Sequence, residues 1–307
     1  MRDVAIGPAP QAAPRRRGLR LRLAERGIDG TLLLLLPGFG AVMLLFFVPF
    51  LYGLLLSFEP QKGGSPVANY VDFFTDPYLR DTIVTTFRVA LPATVFDVVF
   101  AVLIAYRMRG RVRGKRTLTT ILVLPVTLGT VFIADGLLTY LGPRGWLNRT
   151  LLALHLVDHE VQLIHNIWGV IFGLIISGFP FVFLLMLSYV SGIDPSLERA
   201  AATLGAGPWQ RFRRVTLPLL APGIGIAFCL AFVLDFSVFP SAILLGEPSR
   251  ATRVISIAAY HAAFEQFDYS MASAIAMLMA ACELVVIGLV LFWRGRLYRG
   301  AASAGKG

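Results

Sequence analysis

The sequence predicts an all-α protein that crosses a membrane six times, and three observations lead to this fold class. Hydrophobic residues make up 56% of the 307-residue chain, charged residues make up 15%, and the mean hydropathy is +0.72. Six apolar stretches are long enough to cross a hydrocarbon core of about 30 Å, which takes about 20 helical residues. Lys and Arg are concentrated in alternate connections between these stretches. A soluble domain of this length needs fewer apolar residues, so we expect a multi-pass membrane protein.

The six predicted spans define the domain organisation. We place them near residues 31–57, 83–106, 117–141, 164–190, 217–244 and 269–293. Residues 31–293 then form one six-helix membrane domain, flanked by a basic tail at 1–30 and a second tail at 294–307. A polar connection at 191–216 interrupts the domain between its fourth and fifth spans.

The positive charge marks one side of the membrane. Of the 28 Lys and Arg residues, 21 lie in the two tails and in the connections at 107–116 and 191–216. Basic connections stay in the cytoplasm, so we expect both termini and 191–216 on the cytoplasmic side of a bacterial inner membrane. The basic N-terminal tail is expected to meet anionic lipid headgroups. Because topology explains the net charge of +10, we expect no nucleic-acid partner.

Catalytic signals are weak, and we expect the chain not to be an enzyme. The stretch GRVRGKRT at 110–117 resembles a phosphate-binding loop, but only three residues separate its glycines and no Ser or Thr follows the Lys. We therefore expect no nucleotide site in it. No Ser, His and Asp set has the order that nucleophilic catalysis requires. For His155, His159 and His165, in or next to the outer 142–163 connection, we expect a solvated loop, because their spacings do not fix metal ligands on one face; a metal site is the alternative.

Four carboxylates fall inside the apolar spans, where a charge costs a few kcal/mol or more and usually faces a cavity or a partner. Counting a rise of 1.5 Å per residue from the predicted span ends puts Asp135 and Asp235 near the outer third of the membrane. The same count puts Asp97 and Glu283 deeper. Two acidic levels would suit a path for a cationic solute. The alternative is that some of these groups are protonated, or bonded to a neighbouring helix or a second subunit.

The 191–216 connection carries signals for two short helices. Asp194, followed by Pro and Ser, can cap a helix over the Ala-rich run 198–204. Gly205 ends that helix, and the Gly-Pro pair after it opens a second one over 209–215. The alanine face of the first helix is too small to pack deeply in lipid. It suits close docking of another protein.

This segment resembles the cytoplasmic loop signature of binding-protein-dependent ABC importer permeases. That signature reads E-A-A, three residues, G, nine residues, then I-x-L-P. Gly205 occupies the glycine, Val215 takes the isoleucine position, and Leu217 and Pro218 complete the pattern at the family's spacing. The E-A-A position holds Arg199, Ala200 and Ala201. Arg199 replaces the glutamate, and Glu198 lies one residue early.

The resemblance implies a type I ABC importer permease fold, in which the two short helices are coupling helices seated in a cleft of a separate ATPase subunit. Its partners would be two ATPase subunits, a second permease subunit or another copy of this chain, and an extracytoplasmic solute-binding protein. ATP and Mg would be bound by the ATPase, with no cofactor in this chain. The implied ATPase contacts are Glu198, Arg199, Ala200, Ala201, Gly205 and Ala206. The remaining residues of the coupling segment, Pro208, Trp209 and Phe212, are implied to shape the second helix.

The same resemblance suggests a solute. Sugar-importer permeases usually carry Asp just before the motif glycine, whereas Leu204 stands here, so the segment is more similar to the polyamine, iron, sulfate and thiamine group. The flanks SGIDPSLERAA and GPRGWLNRTLLALHL look most like the spermidine/putrescine permeases, and the four intramembrane acids suit a cationic solute. We expect a polyamine or another cation, with iron, thiamine, sulfate, phosphonate or a sugar as alternatives.

A rival of another class is an ion-coupled secondary transporter, in which the acids would bind H⁺ or Na⁺ and no ATPase would be needed. That class is built from inverted repeats with broken helices in matching places. The sequence shows neither pattern.

Overall fold

The computed structural model describes residues 30–61, 63–110 and 114–303, and within these ranges it contains helices and no β-strand. The helices, in chain order, are α1 (Gly30–Ser57), α2 (Ala68–Thr75), α3 (Pro77–Met108), α4 (Lys115–Leu141), α5 (Trp146–Ala153), α6 (Ile167–Ser191), α7 (Pro195–Thr203), α8 (Pro208–Arg211), α9 (Leu217–Phe236), α10 (Pro240–Leu244), α11 (Ile255–Tyr260) and α12 (Tyr269–Ser303). Two π-helical turns, Phe212–Thr216 and His261–Glu265, follow α8 and α11.

Six of these helices are long and apolar enough to cross a membrane: α1, α3, α4, α6, α9 and α12. The all-α, six-span prediction is therefore confirmed. The described chain forms two compact units, which divide within α1 after Tyr52. The second unit, from Gly53 onward, contains the other five spans and both candidate sites. The predicted tail at 1–30 lies outside the described residues except for Gly30.

The core of the second unit forms where α3 packs against α6 and α9. Small side chains on α3 let the backbones of these helices approach closely, as is common between membrane helices. Large side chains such as Phe183 of α6 and Phe232 of α9 fill the remaining space and are fully buried. The α3 alanines with no exposed surface are Ala90, Ala93, Ala101 and Ala105.

The second span begins earlier than predicted, because local signals extend its helix. Asp76 caps α3, and its Oδ1 accepts a hydrogen bond from the backbone N–H of Tyr78 at 2.8 Å. Pro77 fits the first helical position, where an N–H would have no partner in any case. The helix therefore starts at Pro77 rather than near residue 83.

The fifth span ends earlier than predicted. The apolar run to 244 suggested one helix, but α9 stops at Phe236 and α10 starts separately at Pro240. Pro240 has no N–H for an interior helical bond, so it fits the first turn of a new helix. At the C-terminus, by contrast, α12 continues to Ser303, past the predicted span end at 293.

The third span contains a break that the prediction of a continuous helix over 117–141 missed. Gly129 of α4 has φ +73° and ψ +155°, which lies outside helical geometry. Pro125, one turn earlier, removes one helical N–H donor. Proline is a common cause of sharp helix bends, and glycine accommodates the positive φ.

Candidate functional site

The first short helix of the 191–216 segment, α7, begins where its cap predicts. Asp194 accepts two hydrogen bonds from Ser196: Oδ1 from the backbone N–H at 2.9 Å, and Oδ2 from the hydroxyl at 2.6 Å. These bonds, the hydroxyl bond first, hold the pKa of the exposed Asp194 carboxyl below its ordinary value. Pro195 takes the first helical position. The predicted cap is therefore confirmed.

The end of α7 follows the Schellman pattern of helix termination. The N–H of Ala206 donates to the carbonyl of Ala201, and the N–H of Gly205 donates to the carbonyl of Ala202, both at 3.0 Å. Gly205 has φ +83°, a left-handed conformation that glycine adopts without steric cost. This agrees with the predicted role of Gly205 as the helix end.

The second short helix differs from the prediction of a separate element over 209–215. α8 starts at Pro208, and the backbone N–H of Gly207 donates to Oε1 of Gln210 at 3.2 Å. A π-helical turn, Phe212–Thr216, then leads directly into α9, because the residues on both sides of that turn have helical dihedrals. A movement of α8 would therefore be transmitted to the fifth span without an intervening loop.

The α7–α8 pair presents a broad exposed surface. No residue of α7 is buried, and Arg199, Ala200 and Gly205 are all exposed. Leu204 is 88% exposed and Trp209 is 65% exposed. Two large apolar side chains in such positions are typical of a surface that contacts another protein. We call Arg199, Ala200, Leu204, Gly205 and Trp209 the docking surface.

Phe212 faces the other way. It is 6% exposed, and its ring lies 4.7 Å from that of Tyr106 at the end of α3 and 5.5 Å from that of Trp209, centroid to centroid. Phe212 therefore anchors the second short helix to the membrane domain. Its position agrees with the expectation that it shapes this helix.

Glu198 also faces the membrane domain. Its Oε1 accepts hydrogen bonds from Arg109 Nη1 at 2.8 Å and from Thr216 Oγ1 at 2.5 Å. Arg109 Nη2 donates to the Ile193 carbonyl as well. The side chains of Arg109 and Glu198 are only 12% and 19% exposed. Glu198 was expected to contact a partner, but in this structure it links α7 to the ends of two spans, and Arg199 takes the exposed position.

The structure brings together two of the four intramembrane acids. Asp97 of α3 and Asp235 of α9 are 0% and 2% exposed. A Cβ placed on Gly178 of α6 would lie 2.8 Å from Asp97 Oδ2 and 3.4 Å from Asp235 Oδ1. Thr94 donates a hydrogen bond to Asp235 Oδ2 at 2.7 Å. Asp97 and Asp235 therefore form one pair against Gly178, which we call the buried acid pair.

This pairing differs from the predicted acidic levels, which grouped Asp235 with Asp135 and Asp97 with Glu283. Asp135 is exposed in the single chain, and Glu283 is half-buried and accepts a hydrogen bond from Ser237 at 2.8 Å. The prediction failed because a count from a helix end measures position along that helix, not height in the membrane. The structure does not bring the four acids together along one path.

Comparisons with known proteins agree with this architecture. Residues 97–299 match the family described as binding-protein-dependent transport system inner membrane component. The chain belongs to this family. It is thus a permease of the inner-membrane, multi-pass type. The permease superposes with a TM-score of 0.75 on a chain of a solved bacterial alginate ABC transporter. That transporter was solved in complex with an alginate-bound periplasmic protein. That match has 24% identity and covers 87% of this chain and 95% of the other.

Curated relatives of the permease include members of sulfate and sugar transport systems. A probable sulfate transport system permease protein of Prototheca wickerhamii is 30% identical over 67% of this chain and 79% of its own. The sulfate transport system permease protein of Escherichia coli K12 is 28% identical over 82% of this chain and 91% of its own. A trehalose transport system permease protein of Mycobacterium tuberculosis CDC 1551 is 24% identical, and the match covers 93% of each chain.

Sequence reasoning missed three residues that organise these sites: Arg109, Thr216 and Gly178. Arg109 was counted only as a cytoplasmic charge, yet it binds Glu198, 89 residues away. Thr216 lies at the unspecified position of the motif, and Gly178 lies in an apolar run with other small residues. A polar residue at the end of a span is the signal that could have drawn attention to Arg109. Nothing in the sequence around Gly178 indicates that it lies against two carboxylates.

His155, His159 and His165 lie between α5 and α6. Within the part of the permease that the structure describes, no group of three or more His, Cys, Asp or Glu side chains is arranged to hold a metal ion. His155 and His165 adopt positive φ angles of 52° and 59°. All three side chains are exposed.

Proposed function

We propose that this permease forms half of the translocation path of an ATP-driven importer and that its cargo is an oxyanion of the sulfate class. A separate ATPase docks on the docking surface from the cytoplasm, where both termini also lie. A second permease subunit, or another copy of this chain, supplies the other half. A solute-binding protein delivers the cargo to the outer connections at 58–82, 142–163 and 245–268. ATP binding closes the two ATPases on each other, and the permease then turns outward by rigid-body movement.

One observation carries the ATPase assignment: the exposed docking surface connects directly to the transmembrane core. Leu204 and Trp209 are largely exposed, whereas Phe212 and Thr216, a few residues along the chain, are buried. A protein bound to the exposed side would therefore push on side chains that are fixed inside the membrane domain. That arrangement suits the transfer of movement from a nucleotide-driven partner to the spans.

The charge of the docking surface indicates the chemistry of its partner. Arg199 is exposed, and so are Arg213 and Arg214 nearby. Arginine is suited to carboxylates because its planar guanidinium can form two parallel hydrogen bonds. We infer that the ATPase cleft carries an acidic residue opposite Arg199.

Reversing this charge is expected to weaken ATPase binding. Arg199→Glu should lower the affinity of the purified permease for its cognate ATPase by about threefold to tenfold, equivalent to about 0.7–1.4 kcal/mol. Arg116→Glu reverses an exposed charge on the same predicted side, outside the docking surface, and should have little effect. Affinity measured by surface plasmon resonance at two salt concentrations tests this. Equal losses in the two variants would contradict a specific acidic partner.

The sulfate assignment rests on the relatives. Permeases of sulfate systems reach 30% identity with this chain, and one of them is matched over 82% of this chain. A sugar is the second candidate, because the trehalose-system permease is matched over 93% of both chains. The expected polyamine finds no support among these relatives. Asp97 and Asp235 also lie buried in the core, so they do not form the open acidic path on which the polyamine hypothesis partly depended.

Uptake by the reconstituted importer tests the cargo. Proteoliposomes that contain this permease, its cognate ATPase and its binding protein should accumulate radiolabelled sulfate when ATP is supplied on the ATPase side. Trehalose and spermidine should not compete with sulfate. Trehalose uptake alone would select the sugar candidate. Uptake that follows an ion gradient and needs no ATP would instead contradict the importer assignment.

A further inference from the structure

The buried acid pair has unused binding capacity at the centre of the membrane domain. Neither carboxylate oxygen of Asp97 has a hydrogen-bond partner among the described residues, although the side chain is fully buried. Asp235 has one partner, because Thr94 donates to its Oδ2. Its Oδ1 faces Gly178, as does Oδ2 of Asp97. Two carboxylate oxygens, one from each aspartate, thus converge on Gly178 of α6, and neither accepts a hydrogen bond from a described donor.

Two buried carboxylates need compensation. Removing an ionised carboxylate from water costs several kcal/mol even after the surroundings relax. Buried carboxylates are therefore usually paired, hydrogen-bonded or bound to metal. No salt bridge among the described residues involves Asp97 or Asp235. Because no described basic side chain supplies it, the compensation must come from a proton on the pair or from a bound cation.

The donor set identifies the class of ligand. It consists of carboxylate oxygens alone, from Asp97 and Asp235, and the Thr94 hydroxyl supports the set by donating to Asp235 Oδ2. Hard cations such as Ca²⁺, Mg²⁺ and Na⁺ prefer oxygen ligands. We propose that a hard metal cation binds between Asp97 and Asp235 against Gly178. The negative charge of the two carboxylates favours a divalent ion.

Gly178 makes this arrangement possible. A Cβ at that position would lie 2.8 Å from Asp97 Oδ2, closer than side-chain carbons normally approach an oxygen. Glycine therefore lets the carboxylate of α3 lie directly against the backbone of α6. Gly178 itself is only partly buried.

The bound cation would hold together the three central helices. Asp97 lies on α3 and Asp235 on α9, and both contact α6 at Gly178. These helices form the core of the membrane domain. A ligand that binds the folded state but not the unfolded state raises the apparent stability of a protein. The ion would therefore stabilise the folded permease by linking these three helices. This proposal does not depend on the identity of the cargo or on the ATPase.

Cation-dependent thermal unfolding tests the proposal on the permease alone. Purified permease in lipid nanodiscs is stripped with a chelator and then supplied separately with CaCl₂, MgCl₂ or NaCl. At least one cation should raise the melting temperature by several degrees in a saturable manner. Elemental analysis after gel filtration should find one equivalent of a divalent ion. For sodium, ²³Na NMR reports binding.

Three variants make the test specific. Asp97→Asn removes one carboxylate and should abolish the cation response, and Asp235→Asn provides a second variant should the first fail to fold. Glu283→Gln is the matched control, because it neutralises an intramembrane acid that lies outside the pair and bonds Ser237. It should keep the full response. A wild-type melting temperature that no cation changes would overturn the proposal, as would a response that survives in both Asp variants.

Discussion

Replacing Gly205 with tryptophan is expected to abolish ATP-driven uptake while leaving the permease folded in the membrane. No atom lies within 4 Å of the position that a Cβ would take at Gly205, so the new side chain would project away from this chain. It would occupy the space where we propose the ATPase sits. The positive φ adds a strain of about 1–2 kcal/mol at one exposed residue. Pull-down of the ATPase and uptake in proteoliposomes measure the effect.

Gly114→Trp is the matched control for this prediction. Gly114 also has a positive φ, +78°, and also has no neighbour within 4 Å of a Cβ position, but it lies outside the docking surface. The two variants therefore share backbone strain and added bulk. Gly205→Asn, which tolerates the left-handed conformation, should keep most activity. Normal uptake by Gly205→Trp would refute the docking surface, and equal loss in Gly114→Trp would point to strain alone.

The 191–216 segment could be predicted from sequence because its signals are local. The cap at Asp194, the proline after it and the stop at Gly205 each act within a few residues of the chain. Such signals need no knowledge of tertiary packing. The six spans were predictable for a similar reason, since the thickness of the hydrocarbon core dictates their length.

The contacts that join distant parts of the chain could not be predicted in this way. Thr94 and Asp235 are 141 residues apart, and their meeting depends on how α3 and α9 are tilted and packed. The predicted start of the second span was six residues late, an error of about 9 Å along the helix. Counting from the observed start at Pro77 would place Asp97 still deeper, so helix tilt and packing, not the late start, account for its pairing with Asp235. Pairing of intramembrane acids therefore needs the packed helices.

The contacts of Glu198 clarify what Arg199 means for the family motif. The carboxylate at 198 is held by Arg109 and Thr216 inside the permease, so it is not free to replace a glutamate that would face the partner. The exposed position carries the opposite charge. We infer that the two neighbouring residues have separate tasks: Arg199 contacts the ATPase, and Glu198 fixes α7 to the spans.

Replacing Glu198 with alanine is therefore expected to uncouple ATP hydrolysis from transport. The change removes the acceptor for Arg109 and Thr216 and leaves a largely buried guanidinium without its carboxylate, at a cost of about 1–3 kcal/mol. Arg109 follows the end of α3, and Thr216 precedes α9. Without Glu198, movement of α7 would no longer reach either span through this link. ATPase activity in proteoliposomes should persist while uptake falls at least about tenfold, a barrier change of about 1.4 kcal/mol.

A double-mutant cycle separates this link from general destabilisation. Arg109→Met removes the same ion pair from the other side and keeps an apolar side chain of similar length. If the pair is the functional unit, the double variant should be no worse than either single variant, because the second change removes nothing that still operates. Additive losses of uptake would mean that the two residues act separately.

Arg199→Ala should have the opposite effect, because the contacts that tie α7 to α3 and α9 remain intact. We expect weaker ATPase binding but normal transport per ATP hydrolysed.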